Sequence, residues 1–572
     1  MRGRVATIFD WCGNQFMGVG VPSSSCTMPC MPSPSTIGQT VLCGSVMTAL
    51  RAQFGWPRRG SLVAQPSRLR VSAASRRQNE LRARRPLNSQ ARTPALHQAR
   101  AVAAAGPDRQ ISIWLFASLL LLHMALARVE KGRPPLVLLH GLATLCVALV
   151  YGTDRRRPER TIQAVAYLCG AEVLWRTCAR SGALPWEFGK LATAAVLFVA
   201  ILRGNHFRGS WLPALYFALL LPSALLTFGQ MDLDSARQAL SCYLSGPLTL
   251  ALSFLFMSQL RLTARQVVSS LACFIAPLAG VAFLCYSGTF GAADVTFGSS
   301  SNKATSGGFG PNQVSAVLGF GILCALFWFF TEKKTVKLRA FLLLLALWFA
   351  VQSALTFSRT GLYLAGLSAA FGLMPLLRNS RVRWTALGLA AVTVLASHFL
   401  VVPWLNGFTQ GALENRFKNK NLTGREEFWS MELNLWMAHP VFGVGVGVSD
   451  LTRAEGGVRG VQSHTEYTRL LAEHGVLGLA ALIALMGCVW RAFRQPVTNY
   501  GMALCLVMLT FALLFMVVSA VRMALPALAL GLASARLLPE RRTRTGLRLV
   551  MHSGQPRWTA RPACLRQRPA QS

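Results

Sequence analysis

Between Trp404 and about His474 the chain gathers arginine, histidine, glutamate and serine into the one long polar stretch among its apolar runs. It holds Arg416, then Gly424-Arg425-Glu426-Glu427, then His439-Pro440-Val441-Phe442-Gly443-Val444-Gly445, then Ser463-His464-Thr465-Glu466-Tyr467. These residue types have definite uses. An imidazole such as His464, with an ordinary pKa of about 6.5, can take a proton from an attacking hydroxyl near neutral pH. A guanidinium stays charged at any working pH and grips a phosphate through two parallel hydrogen bonds. Apolar runs flank the stretch at 387–402 and 476–489. Charges tethered between two membrane spans sit at a membrane face, where a lipid-linked substrate can meet water.

The elements that must position these groups are helices in lipid. The chain is 53% hydrophobic and 14% charged, with mean hydropathy +0.41, far from the composition of a soluble globular protein. Apolar runs of about 16–20 residues, the length that crosses a hydrocarbon core, recur from 111–127 to 522–538. They number about fourteen, or about twelve if the weak runs at 161–178 and 191–203 do not span. The expected fold is therefore all-α: a polytopic transmembrane helical bundle with one long external loop, 404–474. Four segments follow: a basic extension at 1–110, N-terminal membrane helices at 111–300, a second helical domain at 301–538 that includes the long loop, and a basic tail at 539–572.

Orientation follows from arginine and lysine in the short loops. Arg155, Arg156, Arg157 and Arg160 occupy one loop, and Arg203 and Arg208 the next but one. Arg261/Arg265, Lys333/Lys334/Lys337/Arg339, Arg378/Arg381/Arg383 and Arg491/Arg494 continue the alternation. The positive-inside rule makes that side cytoplasmic. The opposite loops carry Glu187, Asp232/Asp234, Asp294 and the 404–474 segment, which is then expected to be external, periplasmic in a Gram-negative inner membrane.

About half of the net charge of +37 comes from the ends. Residues 1–110 contain many arginines and no lysine, and 540–572 are similar. Such text cannot bury a core and reads as disordered, or as translated flanking sequence ahead of a misplaced start. No compact apolar run follows Arg2 and Arg4 as a cleavable signal needs, so the first span is expected to direct insertion. No nucleic-acid partner is expected. Most of the fourteen cysteines are scattered through apolar spans, where Cys acts as a small hydrophobe. No Walker A or HExxH segment is present, so neither a cofactor nor a metal is expected.

Four segments make a pattern: Gly307-Gly308-Phe309-Gly310-Pro311-Asn312, Phe357-Ser358-Arg359-Thr360-Gly361-Leu362, Gly424-Arg425-Glu426-Glu427-Phe428-Trp429 with the His439–Gly445 run, and Ser463-His464-Thr465-Glu466-Tyr467 followed by Leu470–Gly478. In this order and spacing the chain resembles the O-antigen ligase/O-antigen polymerase superfamily over about residues 300–490. The resemblance implies a bacterial inner-membrane glycosyltransferase that moves a polyprenyl-diphosphate-linked glycan, without nucleotide sugar or metal, at the periplasmic face. The acceptor is lipid A-core in ligases, another glycan repeat in polymerases, and protein in O-oligosaccharyltransferases. The chain departs from the family pattern at Thr465, where Asn commonly follows the His.

On that reading the expected catalytic residues are His464 as base, Arg359 and Arg425 on the departing diphosphate, and Glu466 to orient the His. Arg416, Asn312 and Tyr467 are expected to bind substrate. The glycines after His439-Pro440 read first as a turn and second as a phosphate cradle. A secondary transporter or flippase is the competing class; it would place charges near the membrane midplane and repeat one half in the other. Only Glu172 and Arg176 meet the first condition, and no repeat is visible. Within the enzymes, the 404–474 loop and its Gly-Arg-Glu-Glu and Ser-His-Thr-Glu segments favour the ligase type.

Overall fold

A computed structural model of the chain describes residues 111–179, 184–204, 209–291, 297–298, 300–419, 425–455, 463, 465–519 and 522–539. His464, Gly424 and both basic ends lie outside the described residues, as does the side chain of Arg425. The elements are α1 (Ile113–Glu130), α2 (Pro134–Thr153), α3 (Pro158–Ala179), α4 (Phe188–Gly204), α5 (Leu212–Ala218), α6 (Pro222–Gln230), α7 (Leu233–Met257), β1 (Arg261–Leu262) and α8 (Ala264–Phe290). Then come α9 (Pro311–Thr331), α10 (Val336–Leu355), α11 (Thr360–Leu373), α12 (Ser380–Ala396), α13 (Val402–Phe408), α14 (Ala412–Lys418), α15 (Arg425–Ala438) and α16 (Val448–Glu455). The chain closes with α17 (Glu466–Phe493), α18 (Asn499–Val518), α19 (Leu525–Ser534) and β2 (Arg536–Leu537).

Every apolar run expected to span is helical, and the fold is all-α. Among the described residues ten helical stretches are long and apolar enough to cross a membrane, with α11 and α19 as shorter apolar helices. The two weak runs are α3 and α4. Helix α3 is poor in apolar character because it carries Glu159, Arg160, Glu172 and Arg176, yet most of its residues are buried in protein. Its polar groups meet protein instead of lipid. Helix α8 is central, with 83% of its apolar window buried, whereas the stretch from Ser380 to Phe408 is peripheral at 6%.

Helices approach closely where side chains are small, as expected where lipid gives no hydrophobic drive to pack. A Cβ on Gly170 of α3 would lie 2.4 Å from the Phe274 carbonyl of α8, and one on Gly319 of α9 would lie 2.3 Å from the Gly361 carbonyl of α11. Helix starts follow local chemistry. Asp232 caps α7, and Thr263 with Gln266 forms a capping box on α8.

Much of the described part of the expected long loop is helical. Helices α14, α15 and α16 occupy much of 404–474, and α17 begins at Glu466 instead of near 475. Helix α17 changes direction at Gly475, whose φ of 59° and ψ of −136° are non-helical. The loops also sort by end. β1 pairs in parallel with β2, so Arg261 and Arg536 share one end of the bundle. At the other end Arg522 bonds the Ser463 carbonyl, and Trp186 stacks on Phe309. Both groupings match the alternation read from loop charges.

Candidate active site

Arg359 and Arg416 come together. Arg359 precedes α11 and donates from Nη1 to the carbonyl of Asn419, just after α14. Arg416, on α14 and 8% exposed, donates from Nε to the Phe357 carbonyl at 3.1 Å. Each arginine thus ties its own segment to the other's. Burial, and then the Arg359 guanidinium, lower the pKa of Arg416 from the ordinary arginine value. Two like charges held side by side repel, and an anion between them relieves that repulsion.

The junction that presents Arg359 is fixed from below by α9. Ser358 donates from Oγ to Oδ1 of Asn312 at 2.7 Å. The Ser315 hydroxyl donates to the Ser358 carbonyl at 3.0 Å and accepts the Gly361 amide at 2.9 Å. Gly361 has no room for a side chain, since a Cβ would sit 1.8 Å from the Ser315 carbonyl. Phe357 is fully buried at φ 56°, a left-handed conformation that costs a non-glycine residue about 1–3 kcal/mol. That backbone twist belongs to the same residue whose carbonyl receives Arg416. Asn312, Arg359 and Arg416 are therefore one cluster.

A second cluster holds the approach to His464. The Ser463 carbonyl accepts from Nη2 of Arg522. Arg176, on α3, reaches the Arg522 carbonyl at 3.1 Å, the Trp186 carbonyl, and Oε1 of Glu172 at 2.6 Å. The other Glu172 oxygen accepts the Ala524 amide at 2.8 Å. The Arg176 guanidinium also lies 5.6 Å from the Trp186 ring centroid and 6.0 Å from that of Phe309. Phe309 stands three residues before Asn312, so the Gly307–Asn312 segment joins this cluster to the arginine pair.

Thr465 has φ −126°, ψ 137° and accepts the Tyr467 amide on its hydroxyl, which makes it the N-cap of α17. Asn and Thr both serve as N-caps. The departure from the family pattern at this position keeps the cap.

Glu466 is fully buried, and its two oxygens meet Nη2 and Nε of Arg469 at 2.6 and 3.2 Å. Arg469 continues to Glu473 at 2.5 Å, Glu473 accepts from Ser449 at 2.9 Å, and the Arg469 guanidinium lies 5.0 Å from the Tyr243 ring centroid. Glu466 therefore belongs to a buried Glu–Arg–Glu triad. Tyr467 donates to the Leu513 carbonyl of α18 at 3.1 Å. Arg425 opens α15, which Glu432 pins to α17 by accepting from Thr468.

The glycine run after His439-Pro440 forms a turn. The Val444 and Gly445 amides bond the Ala472 and Glu473 carbonyls at 2.9 and 3.1 Å, and the Gly443 amide bonds that of His439 at 3.1 Å. With those amides occupied, the run docks onto the Gly475 bend. Ser223, Thr227 and Gln230 hold its outer carbonyls.

Among the described residues no three His, Cys, Asp or Glu side chains converge as a metal site. Asp232-Leu233-Asp234 has Asp-x-Asp spacing, but Asp232 caps α7 by accepting from the Ser235 amide and Asp234 faces Arg237.

Sequence reasoning missed Arg522, Arg469 and the role of Arg176. The signal for the last two was available. A charged residue in a membrane helix is expensive, and it marks a polar partner or pathway. Arg522 carried no such signal, because it sits at a span end where arginines are ordinary.

Residues 344–483 match the family model described as O-Antigen ligase. No curated protein matches the chain. The match includes Arg359, Arg416, Arg425, Ser463, Glu466 and Tyr467; it leaves out Asn312, Arg176 and Arg522.

Proposed function

We propose that this chain, whose residues 344–483 match the O-Antigen ligase family model, transfers a polyprenyl-diphosphate-linked glycan to an acceptor hydroxyl at the periplasmic face. The observation that carries this reading is the convergence of Arg359 and Arg416 above Asn312, at the bundle end that also holds Ser463.

As the glycosidic bond breaks, negative charge grows on the departing diphosphate. Preorganised guanidinium groups stabilise that charge without a metal. Arg359 and Arg416 are the proposed diphosphate clamp, and Arg425, at the N-terminus of α15, is its third member. The helix end adds favourable dipole for an anion. His464 is the proposed base. The Arg522 bond to the Ser463 carbonyl and the Thr465 cap fix the backbone on both sides of it. The Glu466–Arg469–Glu473 triad is assigned to holding α17, so Glu466 supports the base through the helix it anchors. Asn312 acts through Ser358 on the Arg359 junction, and Tyr467 steadies α17 against α18.

Lipid A-core is the proposed acceptor, with a growing glycan as the second reading. The test is glycan transfer by the purified full chain in detergent from a polyprenyl-diphosphate-linked donor, with EDTA present. Wild-type activity is expected to survive EDTA. His464→Ala should lower transfer by about 10²–10⁴-fold while donor binding persists. Wild-type rates from His464→Ala would remove it as base, and activity lost in EDTA and restored by a divalent cation would overturn the metal-free clamp.

A further inference from the structure

At the bundle end away from the arginine pair, four separate segments enclose a cavity of about 220 Å³. Its lining includes Arg261 beside β1, Arg491 and Gln495 at the end of α17, Arg536 of β2, and Ser210 and Ser258. Helix α17 separates the two sites. Arg491 lies 15 residues beyond Val476 on the straight part of α17 that follows the Gly475 bend, roughly 22 Å at 1.5 Å per residue. Among the described residues no carboxylate lines the cavity, and no ion pair joins any of its three arginines to one. Three positive charges, the Gln259 and Gln495 amides and two hydroxyls thus line one space, with no carboxylate among the described residues beside them. Such a donor set fits an anion, and its planar forks and hydroxyls suit tetrahedral phosphate oxygens in particular.

The surroundings indicate where that phosphate comes from. Trp211 follows Ser210 and is 68% exposed, and Trp490 precedes Arg491 and is 57% exposed. Trp490 also stacks on Phe493 and carries the Arg494 guanidinium 4.8 Å from its centroid. Exposed tryptophans beside arginines are the signature of a membrane–water interface. Basic pockets between membrane helices at an interface bind anionic headgroups. The β1–β2 pairing closes the pocket by joining residues from the middle and the end of the chain.

We propose that this cavity binds a phosphate group, supplied in the membrane by the headgroup of an anionic phospholipid. The ligand ties α7, α17 and the C-terminal strand together at the end opposite the transfer site.

The experiment is native mass spectrometry of the detergent-purified full chain titrated with phosphatidylglycerol, with phosphatidylcholine, and with inorganic phosphate as competitor. Phosphatidylglycerol should be retained in preference to phosphatidylcholine. Each of Arg261→Gln, Arg491→Gln and Arg536→Gln should weaken phosphatidylglycerol binding about five-fold, and the matching Arg→Lys variants, which keep the charge and lose the fork, should fall between wild type and the Gln variants. Displacement of the lipid by millimolar inorganic phosphate would keep the phosphate site and assign it to a soluble anion. A triple Arg→Gln variant that elutes as wild type and still binds phosphatidylglycerol with wild-type affinity overturns the proposal. So does an equal loss from Arg381→Gln/Arg383→Gln, exposed arginines outside the cavity, because the effect would then be general surface charge.

Discussion

The two ends of α17 hold arginines in opposite circumstances. Near Glu466, Arg469 is enclosed in protein and lies between two carboxylates. At the far end, Arg491 is exposed and shares a cavity with two other arginines. The Arg359–Arg416 pair is a third case, held by the carbonyls of Asn419 and Phe357. A carboxylate partner neutralises a guanidinium and turns it into structure. A carbonyl partner fixes its position without neutralising its charge. What an arginine does here follows from what holds it more than from its depth in the bundle.

The difference can be broken first at Arg469. Arg469→Met leaves Glu466 and Glu473 buried together without their cation, and should cost about 3–5 kcal/mol of stability. The melting temperature in detergent reads this. The triple change Glu466→Gln/Arg469→Met/Glu473→Gln should recover most of the loss. If Arg469→Met melts like wild type, the triad is not what anchors α17.

The second test moves to the carbonyl-held pair, where the effect should fall on rate instead of stability. Arg359→Ala should reduce glycan transfer by about 10²–10³-fold, the range for removing one preorganised donor to a developing negative charge. Its melting temperature should barely move. Arg359→Lys should not restore the rate, since a point ammonium lacks the fork that grips phosphate. Full rescue by lysine would show that only charge matters there.

The smallest expected effect lies between the two regions, at the bend. A side chain on Gly475 would meet the Pro440 carbonyl at 2.6 Å while forced to φ 59°. Gly475→Ala should therefore cost about 1–3 kcal/mol, seen as a lower melting temperature with transfer falling alongside it. An unchanged melting temperature would mean that the His439–Gly445 turn can move aside, and the two faces of α17 would then be less tightly coupled than their hydrogen bonds indicate.

Much of this molecule was legible before any coordinates. Span positions follow from apolar run lengths, because lipid demands about 20 apolar residues per crossing whatever the neighbours are. The sorting of loops into two ends follows from arginine and lysine, and the pairing of Arg261 with Arg536 and of Arg522 with Ser463 agrees with it. The glycine turn after His439-Pro440 was also readable from its residues.

What the sequence could not decide was partnership. Glu466 sits two residues from His464, and its oxygens also meet Arg469 one turn on, a partner the motif alone does not announce, since residues three and four apart share a helix face. Tyr467 stands beside the motif but turns to α18. The polar stretch read as a loop folds into short helices, since amphipathic segments at an interface gain their helicity from the bundle they lie on and little from propensity. Composition and hydropathy determine where the chain crosses the membrane, because those depend on one segment at a time. Which arginine meets a carboxylate, which a carbonyl and which an open cavity depends on residues hundreds of positions apart, as Arg176 with Arg522 illustrates, and only the tertiary structure brings those together.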